Sequence, residues 1–254
     1  MISKNELKFY SSLLKKKFRD EENKFIVEGK KIVLEGLESI FKCDAIILTH
    51  EFYESNEELI PVINSFDVRL EIIKKQEFSK IADTQTPQGI AAIFTKPPVE
   101  NNKVQNVTSK LIACLENISD PGNVGTIIRN CDWFGVNEIM LDNTCADVYN
   151  PKTIRSAMGS IFHINIYNGI DLYTTIPALK KKGYEVLCAD LEGENIFGFQ
   201  DTGKSVLILA NEANGPSLQA LSLTDKKITI PKMGKAESLN VANASAIILA
   251  EMTK

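Results

Sequence analysis

Apolar positions along the chain follow two regimes. In the first, short apolar runs mix with helical stripes. Ser3 followed by Glu6 is a capping-box start, and Leu7, Tyr10, Leu14 and Phe18 extend one stripe to about Arg19. The pattern then predicts strands at 25–27, 45–48, 68–72 and 90–94, with helices from Glu28-Gly29 through Leu37, over 57–66 and over 76–81. Thr84 to Gly89 reads as a turn-rich loop. In the second regime, strands at 111–115, 138–142, 162–167, 184–189, 205–210 and 227–230 alternate with helices, the last running from about Leu239 to Met252. Runs such as IACL and VLILA are apolar at every position, as expected for a parallel sheet covered on both faces. Between the regimes, Lys96-Pro97-Pro98 and Glu100 to Asn106 carry prolines and asparagines without apolar periodicity. The expected division is therefore a small α/β domain at 1–98, a linker at 99–106 and a parallel α/β domain at 107–254.

The densest stretch is Leu111 to Val136. A buried strand ends at Leu115, a polar break and a Ser119-Asp120-Pro121-Gly122 turn follow, and then Val124, Ile127, Ile128 and Cys131 mark a helix at i, i+3, i+4, i+7. Arg129 is turned roughly 140° from Val124 at about 100° per residue, away from the apolar stripe. Asn123 sits at the helix mouth, where backbone N–H groups are free. One strand-turn-helix thus offers Asn117, Asn123 and Arg129 off the core.

Charge narrows the partners. The formal net charge is −4, so nucleic acid could be bound only through local patches. Lys15-Lys16-Lys17 with Arg19, Lys30-Lys31 and Lys180-Lys181-Lys182 are the candidates. The 5 cysteines are scattered and form no CxxC pair, which fits a reduced, cytoplasmic compartment. No apolar run reaches membrane-span length, and the Lys-rich start does not read as a signal peptide.

Several chemistries lack their signatures. There is no GxxxxGK[ST] loop, and Gly122-Asn123-Val124-Gly125 is not GxGxxG. His50 and His163 lie in or beside apolar strands, far apart, and read as structural; no metal-ligand spacing exists. Ligands of parallel α/β domains bind outside the carboxyl ends of strands. Three such ends are polar: Asn117 with Asn123 and Arg129; Asn211-Glu212-Ala213-Asn214-Gly215-Pro216 after VLILA; and Pro231 to Asn240 after ITI. Glu212, close behind a five-residue apolar run, reads as a cap for backbone amides or a partner for a cation. The last helix opens with small residues and two asparagines, Asn240 and Asn243.

These stretches resemble the SpoU (TrmH) class of SPOUT RNA methyltransferases, which move a methyl group from S-adenosylmethionine to a ribose 2′-oxygen. NISDPGNVGTIIRNCDWFG at 117–135, LILANEANGPS at 207–217 and ITIPKMGKAESLNVANASA at 228–246 are similar to the three motifs of that family, in order. NPKTIRSAMGSIFHI at 150–164 resembles the segment between them. FIVEGKKIVLEGL at 25–37 and TPQGIAA at 86–92 resemble its substrate-binding module, built like certain RNA-binding ribosomal proteins.

The resemblance implies a C-terminal trefoil knot, which general folding rules alone would exclude. It implies that the cofactor lies against Ala210, Asn211, Glu212, Gly215, Ile230, Pro231, Ser238, Leu239 and Asn240. It further implies that Arg129 is catalytic, supported by Asn123, Glu212, Ser238 and Asn240, with no metal, in a homodimer formed through the C-terminal domain. Ribosomal RNA is the expected substrate, with transfer RNA or a non-catalytic ribosome-assembly role as alternatives. Ala210 and Ala213 stand where glycines are usual, and Asn243 where an apolar residue is common, so fine cofactor contacts can differ. Arginine holds its proton firmly, which leaves two roles open for Arg129: base, or clamp on the substrate phosphate and 2′-oxygen.

Overall fold

The computed structural model describes residues 2–98, 107–200, 203–211 and 214–254. The expected linker at 99–106 and the residues Glu212 and Ala213 lie outside them. Two compact units are present: Met1–Pro98 with Tyr149–Phe162, and Val99–Val148 with His163–Lys254.

The first unit begins with α1 (Lys4–Ser12). Its capping box forms as the sequence suggests: Glu6 N–H donates to Ser3 Oγ at 3.2 Å and Ser3 N–H to Glu6 Oε2 at 2.9 Å. The helix does not run on to Arg19. It stops at Ser12 and restarts as α2 (Lys16–Glu21). The Arg19 guanidinium, 1% exposed, turns back and donates to the carbonyls of Leu13 and Leu14 at 2.9 and 2.8 Å. It satisfies carbonyls that the helix end leaves without partners.

Strands β1 (Lys24–Glu28), β2 (Cys43–Thr49), β3 (Leu70–Ile73) and β4 (Ile90–Thr95) form a sheet in the order β1-β4-β2-β3. β4 runs antiparallel to both neighbours, and β2 pairs parallel with β3. Between β1 and β2 lies α3 (Lys30–Leu37). The helix read over 57–66 is broken. Thr49 caps an unforeseen α4 (His50–Ser55), a 3₁₀ turn spans Glu57–Leu59, and α5 (Ile60–Asn64) carries Pro61 in its first turn, where proline is tolerated. α6 (Lys75–Phe78) precedes β4.

The second unit is a six-stranded parallel sheet in the order β10-β8-β9-β5-β6-β7. Its strands are β5 (Leu111–Glu116), β6 (Glu138–Leu141), β7 (Asn165–Asn168), β8 (Tyr184–Asn195), β9 (Lys204–Ala210) and β10 (Lys226–Thr229). Its helices are α7 (Pro121–Trp133), α9 (Leu172–Lys180), α10 (Leu218–Leu223) and α11 (Val241–Met252), the last packed on α7. Ile112 to Leu115 and Val206 to Leu209 are fully buried, as expected of central strands with both faces covered.

Two strands differ from expectation. The run read as 162–167 starts at Asn165, because Phe162 belongs to the first unit. There its ring meets Phe41 and Phe94 at centroid distances of 5.1 Å each and Phe25 at 6.3 Å. Tyr149 joins the cluster 4.6 Å from Phe25. Between them runs α8 (Pro151–Ala157), whose Arg155 pairs with Asp83 at 2.6 Å. β8 outlasts its predicted end by six residues (189 to 195), through a bulge at which its register with β10 jumps from Cys188 to Glu194. Gly193 permits this: a Cβ there would stand 2.7 Å from the Ile228 backbone.

Candidate active site

The middle of β8 and the carboxyl ends of β9 and β10 open onto a cleft of about 540 Å³. Leu209, Ile228, Ile230, Pro231 and Leu239 give it apolar walls, and Asn211, Thr229 and Ser238 place polar groups in them. This volume and this mix suit a small ligand with an apolar body and a few hydrogen-bonding groups. Of the residues expected to hold a cofactor, Ala210, Asn211, Gly215, Ile230, Pro231, Ser238 and Leu239 line it. Asn240 is the next residue along, and Glu212 lies outside the described residues. Sequence reasoning missed the β8 side of the cleft, Ala189, Asp190 and Leu191, where Asp190 pairs with Lys227 at 2.9 Å.

The first polar strand end is tied to the second. Asn117 follows β5 with φ +54°, a left-handed conformation that asparagine tolerates. Its N–H donates to Asp142 Oδ2 at 3.0 Å, and its carbonyl accepts from Asn211 Nδ2 at 3.1 Å. Gly215, at φ +63°, sends its N–H to the Asn211 carbonyl at 2.9 Å.

The first end is also tied to the third. Asp120 caps α7 by accepting from Asn123 N–H at 3.0 Å. Asn240 caps α11 by accepting from Ala242 and Asn243 N–H at 3.0 and 3.3 Å. Asn240 Nδ2 then donates to Asn123 Oδ1 at 2.9 Å, which brings the N-termini of α7 and α11 together. Further along the pair, Asn130 Nδ2 donates to the Ala242 carbonyl and to Ser245 Oγ, both at 2.9 Å. Arg129 is exposed on α7, and among the described residues it makes no hydrogen bond or ion pair. The structure therefore joins Asn123 and Asn240 directly, sets Ser238 in the cleft and leaves Arg129 exposed.

Other candidates change character. Arg19 is the buried capping group described above, not a surface cation. Lys180 Nζ is held by Asp225 at 2.6 Å and by the Leu223 carbonyl at 3.0 Å. Lys30 Nζ donates to Asn56 Oδ1 at 2.9 Å. Neither histidine is a core residue: His50 opens α4 on the surface, and His163 Nδ1 lies 2.9 Å from Asp132 Oδ2 with its side chain 45% exposed. Burial pushes the thiols of Cys43, Cys114, Cys131 and Cys188 up to about 12, so none offers a thiolate at neutral pH.

The residue most underrated by the sequence is Glu116. It reads as a polar break after β5, yet it is 4% exposed and accepts three hydrogen bonds. The signal was available. Glu116 directly follows a five-residue apolar run, an even closer placement than the one that singled out Glu212.

Comparison with known proteins finds relatives along nearly the whole chain. The model of the SpoU rRNA Methylase family matches residues 110–250, and that of the MRM3-like substrate binding domain matches residues 4–92. The 23S rRNA (guanosine(2553)-2′-O)-methyltransferase RlmP of Bacillus subtilis is 33% identical over 251 residues, covering 97% of this chain and 96% of that protein. The human mitochondrial rRNA methyltransferase 3 is 26% identical, over 92% of this chain and 68% of its own length. Among solved structures, the SpoU methyltransferase AviRb from Streptomyces viridochromogenes, in complex with the cofactor AdoMet, superposes with a TM-score of 0.85 at 25% identity, covering 99% of this chain and 97% of that one.

Proposed function

The chain belongs to the SpoU rRNA methylase family, and on that footing we propose that it transfers a methyl group from S-adenosylmethionine to a ribose 2′-oxygen of ribosomal RNA. The observation that carries this reading is the cleft itself. Two of the three motifs line it, and the first is hydrogen-bonded to both through Asn117–Asn211 and Asn123–Asn240. When bound, S-adenosylmethionine supplies an electrophilic methyl on a sulfonium. The apolar walls suit its adenosine, and Asn211, Thr229 and Ser238 offer its polar edges partners.

The remaining chemistry falls to this chain's residues. A ribose hydroxyl is a weak nucleophile until its proton is being removed. Arg129, exposed on α7 two turns from its N-terminus, acts as the clamp: a planar fork of donors suited to a phosphate and the adjacent 2′-oxygen, while the hydroxyl proton passes to water. The two N-termini add a field that favours anionic RNA near Asn123 and Asn240. Ser238 and Asn240 orient the ribose or the arginine.

The wider architecture belongs to the same proposal. Residues 1–98 supply RNA affinity, 107–254 the transferase, and 99–106 the link. The C-terminal trefoil knot is supported by the small residues Ala242, Ala244 and Ala246 where α11 begins against α7. A homodimer through the C-terminal domain is supported by Trp133, 80% exposed at the end of α7, and by the half-buried Ala246, Ile247 and Ala250 on α11. Among the described residues no helix is long and apolar enough to cross a membrane. With five free cysteines and a bacterial relative, the cytoplasm is the proposed compartment.

The test is methyl transfer from labelled S-adenosylmethionine to ribosomal RNA, followed by digestion to nucleosides. Label in a single 2′-O-methylnucleoside is expected, and an RNA with one 2′-deoxy nucleotide at that position should bind without being methylated. Label on a base atom would defeat the ribose reading.

A further inference from the structure

Glu116 ends β5 in the interior of the second unit, where a carboxylate is costly unless its oxygens are satisfied. Here they are. Ser217 N–H donates to Oε2 at 3.0 Å, Ser217 Oγ to Oε1 at 2.6 Å and Tyr173 OH to Oε1 at 2.6 Å. Tyr173 OH and Ser217 Oγ are also 3.3 Å apart. Three elements therefore meet on one carboxylate: the end of β5, the first turn of α9 and the N-cap of α10. The bond to Glu116 raises the Tyr173 hydroxyl above its ordinary pKa of 10.0, as expected when a phenol donates to an anion.

The location gives this cluster a purpose. Asn214, Gly215 and Pro216, which run directly into Ser217, line the cleft. Ser217, at the end of this segment, is fastened to Glu116, and Gly215 N–H donates to the carbonyl of Asn211, whose side chain is held on the Asn117 carbonyl. Both anchors stand next to each other at the end of β5. Resting on the methyltransferase reading, we infer that Glu116 is a positioning residue. Its buried carboxylate, with Tyr173 as second support, holds the Asn214–Ser217 segment in the conformation that receives S-adenosylmethionine. A segment held in its bound conformation before the ligand arrives loses less freedom on binding, so the effect falls on cofactor affinity.

Glu116→Gln keeps the size but puts a donor where three donors converge, leaving buried groups unpaired. Tyr173→Phe removes one hydroxyl from a half-buried site and is the milder change. Two readouts on the full chain are needed: the Kd for S-adenosylhomocysteine by calorimetry, and hydrogen exchange at the Gly215 and Ser217 amides without ligand. The expected result is a Kd raised at least about tenfold in Glu116→Gln and about threefold in Tyr173→Phe, faster exchange at both amides and an unchanged KM for RNA. Glu116→Asp, which keeps the charge, should recover part of the affinity. Unaltered cofactor affinity in a folded Glu116→Gln, or in Tyr173→Phe should the former not fold, overturns the inference. If the unsubstituted protein binds no cofactor, the methyltransferase reading fails instead. Exchange then judges the anchor: faster exchange at Gly215 and Ser217 in the variants supports it, and unchanged exchange overturns it.

Discussion

Arg129→Ala should leave fold and cofactor affinity nearly intact, because the side chain is exposed and surface replacements shift stability by only about 0.5 kcal/mol. Methyl transfer should fall by at least about 10²-fold, the scale of losing a group that positions the reacting atoms. Arg129→Lys should restore little, since a point charge does not reproduce the planar fork. Single-turnover assays with labelled S-adenosylmethionine decide this, and near-full turnover in Arg129→Ala would remove Arg129 from the mechanism. A second residue-scale prediction concerns acid. The Arg69 guanidinium at 2.6 Å, with the Ser3 backbone and hydroxyl, lowers the Glu6 carboxyl from 4.5 to about 2. A lowered folded pKa stabilises the protein above the unfolded value, and that contribution is lost as pH falls from about 4.5 toward about 2. Glu6→Gln should flatten the melting temperature across that window and leave its slope above pH 6 unchanged. Arg129 was readable because helical periodicity alone places it off the core. Arg19 and Glu116 were not, because a charge is read as exposed until the tertiary partners that satisfy it are known.

Strands β5 and β9 and helix α7 could be read from the sequence because local pattern and tertiary burial agree there. The errors fall where they diverge. A stripe from Leu7 to Phe18 looks like one helix, yet Arg19 ends it, and the second half of β8 carries too many charged residues to read as strand. Gly193→Ala tests that second half. A methyl 2.7 Å from the Ile228 backbone must push β8 and β10 apart, at a cost of about 1–3 kcal/mol. The melting temperature should drop by roughly 2–4 °C for each kcal/mol. Because Asp190, Leu191 and Ile230 line the cleft, cofactor affinity should fall with it. A variant that melts like the unsubstituted protein would mean that the bulge gives way freely. The contact between α7 and α11 offers a parallel case. Asn130→Ala removes the two bonds to Ala242 and Ser245 and should cost about 1–3 kcal/mol, read by urea unfolding as a lower midpoint at unchanged slope.

At the scale of the molecule, the alternation of strands and helices announced a parallel α/β unit, and composition announced a division near residue 98. Nothing local announced that Tyr149 to Phe162 would fold with the first unit, since an aromatic residue does not declare which core it will enter. This alters what a truncation does. Residues 107–254 alone would carry Tyr149 and Phe162 without Phe25, Phe41 and Phe94. That fragment should bind a hydrophobic dye and associate beyond the dimer, under conditions where the full chain does neither. A clean, dye-negative fragment would show that 149–162 finds other cover. The full chain should sediment as a dimer at micromolar concentration, and a monomer would sink the proposed interface.

The same excursion sets a timetable during synthesis. After Pro98 leaves the ribosome, 64 further residues (98 to 162) must follow before Phe162 can close the aromatic cluster. At roughly 5–20 residues per second that is a wait of several seconds. Throughout it the nascent first unit presents Phe25 and Phe94 without the cover of Tyr149 and Phe162, and before it ends β5 and β6 become available to pair. The two units thus mature together, and a ribosome halted near residue 140 would hold both unfinished, with an exposed aromatic face for a chaperone to meet.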